Sequence, residues 1–456
     1  MTRNFMAALA AAGALALALT ARADFQAALG EYNAGHYDVA HAQFLSLAEL
    51  GDCSSQFNLG AMALKGQGGP KDTGSGVGWL EAAAGNGCER LVGSKLPGLT
   101  AKLNSDEARS AATIVSHYGH DALQAQGVVN PQLSCSGMQP AQVLSAPAPD
   151  DPRPVASRGQ NAIVITALTI GTDGRARDPE VLLAVPEGAF AAPAVEAWLN
   201  SRFAPAQRDG HAVESRLQAK LLFAAADGAT LSSAEAYQKA RPAADSGDPP
   251  AGYLVGLTAT LDSSLGISSA RAGQLLLASA RDGYPQSQYW LGSQLHYATA
   301  CAGRSDGAVW LRHAADGGNA SAQLMRAADL LRGGDAAQLA EARALLQKAA
   351  SSDSDYVRKH VVALLAASPV DAVRDPDTAR QVALRLADSP QQFDPQLFEA
   401  LAAAYAASGD FSNARSQQQR AIRKAQVLGW NTYLMAARLA EYKSGRPWRG
   451  DLFATP

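Results

Sequence analysis

The sequence predicts a mainly α protein in which two arrays of stacked helical hairpins, α-solenoids, flank a small α+β domain. Three observations predict it. The stretch Trp79, Leu80, Glu81, Ala82, Ala83, Ala84, Gly85, Asn86, Gly87 is echoed by Trp310, Leu311, Arg312, His313, Ala314, Ala315, Asp316, Gly317, Gly318, and internal self-similarity marks repeat architectures. Gly256, Gly292, Ala327 and Val361 follow one another at 36, 35 and 34 residues, and Gly247, Gly283 and Gly318 keep the same step. Between the two echoes lies a proline-rich stretch and then a β-branched run, Ile163 to Ile170, which reads as strand.

In chain order, the first segment is an export signal. Arg3 precedes an uncharged run from Phe5 to Thr20, and Ala21, Arg22, Ala23 is the small-x-small pattern that signal peptidase reads. The run is alanine-rich and shorter than the roughly 20 residues a transmembrane helix needs. Residues 1–23 are therefore expected to be cleaved, with Asp24 as the mature start, no stable membrane anchor and a periplasmic location in a Gram-negative bacterium.

Residues 24–127 form the first helical array. Tyr32, Gly35, Tyr37, Ala40 and Phe44 make one hairpin, and Gln56 to Met62 with Trp79 to Ala84 make the next across a Gly66 to Pro70 break. A further helix runs to Tyr118, with Ser105 as its expected cap and Asp106 and Glu107 in the first turn. Residues 128–158, with Pro147, Pro149, Pro152 and Pro154, read as an extended linker. In residues 159–226 the strand Ile163–Ile170 turns at Gly171 to Gly174 and returns over Pro179–Val185; Phe190–Asn200 is a helix and Glu214–Phe223 a last strand. Hairpins resume over residues 232–390, a different unit with its terminal helix occupies 391–443, and 444–456 is a loosely held tail.

The motif Gln56, Phe57, Asn58, Leu59, Gly60, Ala61, Met62, Gly66, Gly68, Trp79, Leu80, Ala83, Ala84, Gly87 resembles the SEL-like repeat family, a branch of the tetratricopeptide-type solenoids. Gln288, Tyr289, Trp290, Leu291, Gly292, then Trp310, Leu311, Ala314, Ala315, Gly318 repeat it more loosely. Leu401, Tyr405, Phe411, Ala414 and Ala421 match the plain tetratricopeptide pattern, departing where Gln418 replaces an aromatic, which marks an atypical or capping unit. The middle segment, through Ile163 to Ile170, Asp173, Gly174, Pro186, Gly188, Phe190, Ala194, Trp198, Arg202, Phe203 and Pro205, resembles the C-terminal domain of TonB-type energy transducers. That resemblance implies a periplasmic binding fold that pairs with a partner by strand addition. With the anchor cleaved, it does not imply energy transduction.

The four cysteines, Cys53, Cys88, Cys135 and Cys301, permit three connectivities in an oxidising compartment. Cys53 with Cys88 is favoured, since each follows an inter-repeat glycine and the bridge would contribute roughly 3–4 kcal/mol. Against it, equivalent points of stacked hairpins lie about 10 Å apart, beyond the 7 Å Cα limit of a bridge. Cys135 with Cys301 follows by elimination. No zinc-ligand spacing appears.

No nucleophile elbow, phosphate loop or metalloprotease helix occurs, so no catalytic, cofactor-binding or metal-ligating residue is assigned and no cofactor is expected. His117 and His120 read as surface histidines, and His313, aligned with Ala82, as a solvent-side position. Asp371, Asp375 and Asp377 read as a solvated turn. Trp79, Trp198 and Trp310 read as core fillers, and Arg415, Arg420, Arg423, Lys424, Arg438, Lys443, Arg446 and Arg449 as a basic outer face. A net charge of -3 and 18% charged residues give no general attraction for nucleic acid. The expected function is a non-catalytic scaffold binding a protein or peptide of the cell envelope on the concave array surface. The alternatives are a TonB-like partner of an outer-membrane receptor, and an unrecognised periplasmic enzyme.

Overall fold

The computed structural model describes residues 25–131, 137–152, 162–223, 234–297 and 307–454. The expected signal segment 1–23, Cys135 and Cys301 lie outside the described residues.

The first array contains α1 (Phe25–Asn33), α2 (Tyr37–Glu49), α3 (Cys53–Lys65), α4 (Thr73–Ala83), the short α5 (Glu89–Val92) and α6 (Leu96–Thr100), α7 (Ser105–Tyr118) and α8 (His120–Ala125). Asp52 caps α3 through Ser55 N at 2.7 Å, and Asp72 caps α4 through Ser75 N at 3.0 Å. The α7 cap is Asn104 rather than Ser105: its side chain accepts from Glu107 N while Glu107 reaches back to Asn104 N, a capping box that leaves Ser105 inside the helix. Phe44, Leu59, Met62 and Trp79 form the core, with Trp79 stacked on Tyr118 at 4.5 Å. Cys53 and Cys88 are joined, with Cα atoms 5.6 Å apart. Cys53 opens α3 and Cys88 ends the π-turn Ala84–Cys88 that prolongs α4. The bridge thus closes the open end of one antiparallel hairpin, where the wider spacing of successive units does not apply.

The middle region contains β1 (Met138–Gln139), β2 (Gln142–Ser145), β3 (Ala162–Ile170), β4 (Ala176–Val185), α9 (Ala191–Asn200), β5 (Arg202–Ala204), β6 (Ala206–Arg208), β7 (His211–Val213) and β8 (Ser215–Phe223). Its main sheet is antiparallel in the order β4-β3-β8. Part of the expected linker is sheet: β1 pairs with β6 and β2 with β5. Pro140 falls between β1 and β2 and the next proline is Pro147, so none lies within 142–145 to prevent pairing. Both faces of β3 are covered, which explains its unbroken apolar run. Val164, Leu168 and Ile170 pack towards Phe190, Val195 and Trp198, while Ile163 and Ile165 pack against Leu257, Leu276, Trp290 and Trp310 of the second array.

That array contains α10 (Ala234–Asp245), α11 (Pro249–Leu261), α12 (Ser269–Arg281), α13 (Pro285–Tyr297), α14 (Ala308–Asp316), α15 (Ala320–Gly333), α16 (Ala336–Ala349), α17 (Asp355–Ala367), α18 (Pro376–Ala387), α19 (Pro395–Ala407), α20 (Phe411–Leu428) and α21 (Tyr433–Lys443). Two contacts explain the repeat step. A Cβ on Gly60, Gly256 or Gly292 would lie 2.9, 2.7 or 2.8 Å from Cγ of Leu80, Leu276 or Leu311, so glycine permits the close approach of paired helices. The buried amides of Gln56, Gln288 and Gln323 donate to the carbonyls of Ala48, Ala280 and Ala315, each eight residues earlier, at 3.0–3.1 Å. They tie each hairpin to the one before it.

The tail is not loose. Gly450 N donates to Ala367 O at 2.8 Å, Leu452 is 2% exposed, and Trp448 and Phe453 pack on the array core. Three large apolar side chains within six residues give this segment enough to bury. No described helix is long and apolar enough to cross a membrane.

Candidate interaction site

One side of the second array is occupied by the molecule's own sheet, through Ile163 and Ile165 against Leu257, Leu276, Trp290 and Trp310. The junction is built on β4. The register shift opposite Ala167 to Thr169 of β3 leaves Asp178 at a bulge with φ 52°, and bulges re-aim side chains. Its carboxylate lies 2.6 Å from His360 Nε2, 3.3 Å from Lys359 Nζ and 3.5 Å from an Arg216 nitrogen. Burial alone would raise the Asp178 carboxyl; His360, Lys359 and Arg216 together hold it well below the usual carboxylate range. Lys359 also donates to Asp394 Oδ2 at 3.0 Å and Gln396 Oε1 at 2.9 Å. Arg216 pairs with Glu180 at 2.9 Å, and the Tyr289 hydroxyl donates to the same carboxylate at 2.8 Å. Burial pushes the Tyr289 and Tyr356 hydroxyls far up, so both remain neutral beside this network. A cavity of about 570 Å³ opens above Asp178 and His360, walled by Leu324, Met325, Leu364 and the tail.

The far edge of β4 has no partner strand among the described residues. Pro179 fits that position, because a proline lacks the N–H that an inner strand must donate. The edge runs along a groove of about 1090 Å³ whose opposite wall is formed by the N-terminal ends of α11 and α17 and the α18–α19 connection. Tyr253, on that wall, donates its hydroxyl to the Leu182 carbonyl at 3.2 Å. Glu187, Asp353, Asp355 and Asp388 ring the groove. Of the two guanidiniums there, Arg358 is engaged by Asp353 and Asp355, and Arg385 by the Ala350 carbonyl. An unpaired strand edge over a roomy, acidic groove is able to accept an extended chain as a fourth strand.

The residues singled out in the sequence fall into separate places. Trp79, Trp198 and Trp310 are buried, and Trp310 donates to the Gly127 carbonyl at 3.0 Å, joining the two arrays. His117 is exposed, bonded to the Thr113 carbonyl within its own helix, and among the described residues no group of three or more ligand side chains could hold a metal. His313 is not solvent-side. Its side chain is 8% exposed, with Nε2 3.1 Å from Glu49 Oε2, a carboxylate that Arg312 also engages at 2.9 Å. Burial would raise Glu49, but His313 and Arg312 hold it below its ordinary value. The first array supplies the partner that Ala82 never meets. Asp375 caps α18 through Thr378 N, while Asp371 is exposed beside Arg374. Arg438 leaves the expected basic surface: it is buried and bonded to Glu399 at 2.9 Å, the carboxylate that also receives Gln418. Gln418 therefore replaces the usual aromatic as part of a polar core. Sequence reasoning missed Asp178, Glu180, Arg216 and Lys359; the one available signal was Asp178-Pro179 interrupting a strand pattern.

Residues 147–224 match the family model of the Gram-negative bacterial TonB protein C-terminal domain. The match begins inside the stretch expected as linker. A crystal structure of a Sel1 repeat protein from Oxalobacter formigenes aligns over 50% of this chain and 100% of its own, at 18% identity and a TM-score of 0.32. A protective antigen of uropathogenic Escherichia coli strains, displaying an SLR fold, aligns over 92% of this chain and 73% of its own, at 15% identity and a TM-score of 0.33. No curated protein matches the chain.

Proposed function

We propose that this protein is a non-catalytic, periplasmic interaction scaffold, exported with cleavage after Ala23, whose TonB-like middle domain binds an extended segment of an envelope protein along β4. The observation that carries the reading is the β4 edge, which has no partner strand among the described residues, over the groove of about 1090 Å³. Backbone pairing would supply the affinity and the groove walls the selectivity. A photo-crosslinking residue at Glu187 is expected to give a discrete adduct in living cells, and one at Leu91, exposed on the first array, none. Equal adducts at both sites, or none at Glu187, would remove the reading.

A transducer-like partner of an outer-membrane receptor is the second reading, favoured by the family match at 147–224. It requires a retained N-terminal segment, so mass spectrometry finding Met1 rather than Asp24 at the mature terminus would select it. An enzyme has one observation in its favour, the His360 and Asp178 pair on the floor of the 570 Å³ cavity. We read that pair as a clamp, because Asp178 faces Lys359 and Arg216 as well as His360 and is thereby fixed between sheet and array.

A further inference from the structure

The outer face of α20 holds positive charge that no carboxylate among the described residues answers. The helix contains Arg415, Arg420, Arg423 and Lys424 and no acidic residue. None of these four makes an ion pair among the described residues, whereas nearby bases do: Arg438 with Glu399, Arg446 with Glu441, and Arg380 with Asp410. Arg420 rests over the Phe398 ring at 4.3 Å, which steadies the guanidinium without neutralising it. The inward stripe of α20 is Ala414, Gln418, Ala421, Ala425 and Leu428. On the opposite side the same helical spacing aligns Ser416, Arg420, Arg423 and Val427, all exposed. Val427 is 77% exposed and Tyr433, just beyond the Gly429 turn, 73% exposed, the two highest values among the exposed large hydrophobic residues. Unscreened cations beside bared apolar side chains are a combination that isolated surface residues do not need and that interfaces use.

We propose that this face docks an acidic segment of a partner protein: its carboxylates meet Arg420, Arg423 and Lys424, and an apolar side chain covers Val427 and Tyr433. A membrane surface fits less well. Helices that lie in the bilayer interface insert a broad apolar face, and the apolar stripe of α20 is buried in its own hairpin, leaving two side chains. The site is independent of the β4 groove, whose carboxylate rim repels the same segment.

The test uses the full mature chain and a fluorescent peptide of about twelve residues alternating glutamate with leucine, followed by anisotropy. Binding is expected at about 50 mM salt and should weaken roughly tenfold at about 300 mM. The double variant R420E/R423E should lose roughly tenfold or more, and V427S/Y433S a few-fold, with unchanged circular dichroism. A peptide with lysine for glutamate should not compete. Absence of peptide binding at low salt, or undiminished affinity in R420E/R423E, would overturn the proposal. So would co-sedimentation with phosphatidylglycerol vesicles that exceeds binding to the peptide.

Discussion

The two arrays share their internal contacts and differ in what fastens them. In both, a glycine lets a leucine of the paired helix approach closely, at Gly60 and Leu80 as at Gly256 and Leu276, and a buried glutamine reaches the carbonyl eight residues earlier. The first array then closes a hairpin covalently through Cys53 and Cys88. The described part of the second contains no such bridge; instead it is pinned to the sheet by buried polar pairs, Lys359 and His360 with Asp178, Tyr289 with Glu180, and Asp262 with Lys220. The repeat chemistry sets how hairpins stack, and the fasteners set what each array can be used for. The covalent closure acts within one hairpin of the first array, whose Glu49 and Gly127 still bond to the second, whereas the second array turns one side to the sheet and makes it part of its own core.

The sharpest way to break this contrast is at Lys359. Lys359→Met leaves Asp394 and Asp178 short of a cation in a buried site, and we expect a loss of about 3–5 kcal/mol in urea unfolding. A loss below about 1 kcal/mol would show that apolar packing on β3, not charge, holds the second array. Next comes the disulfide. Cys53→Ala with Cys88→Ala should cost about 3–4 kcal/mol by loop entropy. Hydrogen exchange should place the loosening in α3 and α4 and leave α17 protected; loosening spread equally through both arrays would mean the fasteners are not local. The smallest effect concerns pH. The Asp178 carboxyl is depressed in the folded state, so its contribution is present above the unfolded value of about 3.9 and is lost as pH falls through the lower folded value. Acidification below about pH 4 should therefore weaken the sheet-to-array contact, and Asp178→Asn should flatten that slope while lowering stability at neutral pH. An unchanged slope would place the acid sensitivity elsewhere, with Glu49 at the junction between the arrays as the next group to test.

The repeat step was legible because close helix approach demands small residues at fixed spacing, and Gly256 and Gly292 announce it. The strands of the middle domain were legible as β-branched runs bounded by Gly171 and Gly174. The docking was not. In β8, Arg216, Gln218 and Lys220 alternate with Leu217, Ala219 and Leu221, the pattern of a sheet with one solvated face. Those polar side chains meet Glu180, Trp290 and Asp262 instead. Each partner lies far away in sequence or in another element, so no local window contains it. His313 was misplaced for the same reason: comparison between repeats aligned it with Ala82, while its partner Glu49 arrives from 264 residues upstream. The β4 edge was accessible as a strand with Pro179 inside it, but its groove exists only because α11 and α17 stand opposite.

The double cover of β3 has a consequence for the order in which the protein is made. Ile163 and Ile165 leave the ribosome well before Leu257, Trp290 and Trp310, the side chains that shield them. During synthesis the first array has its hairpin partners already in hand, whereas the sheet must wait with an apolar face bare while more than ninety residues follow. Until those residues are in place the bare face is open to mispairing, and the central domain completes its core only with the first units of the second array.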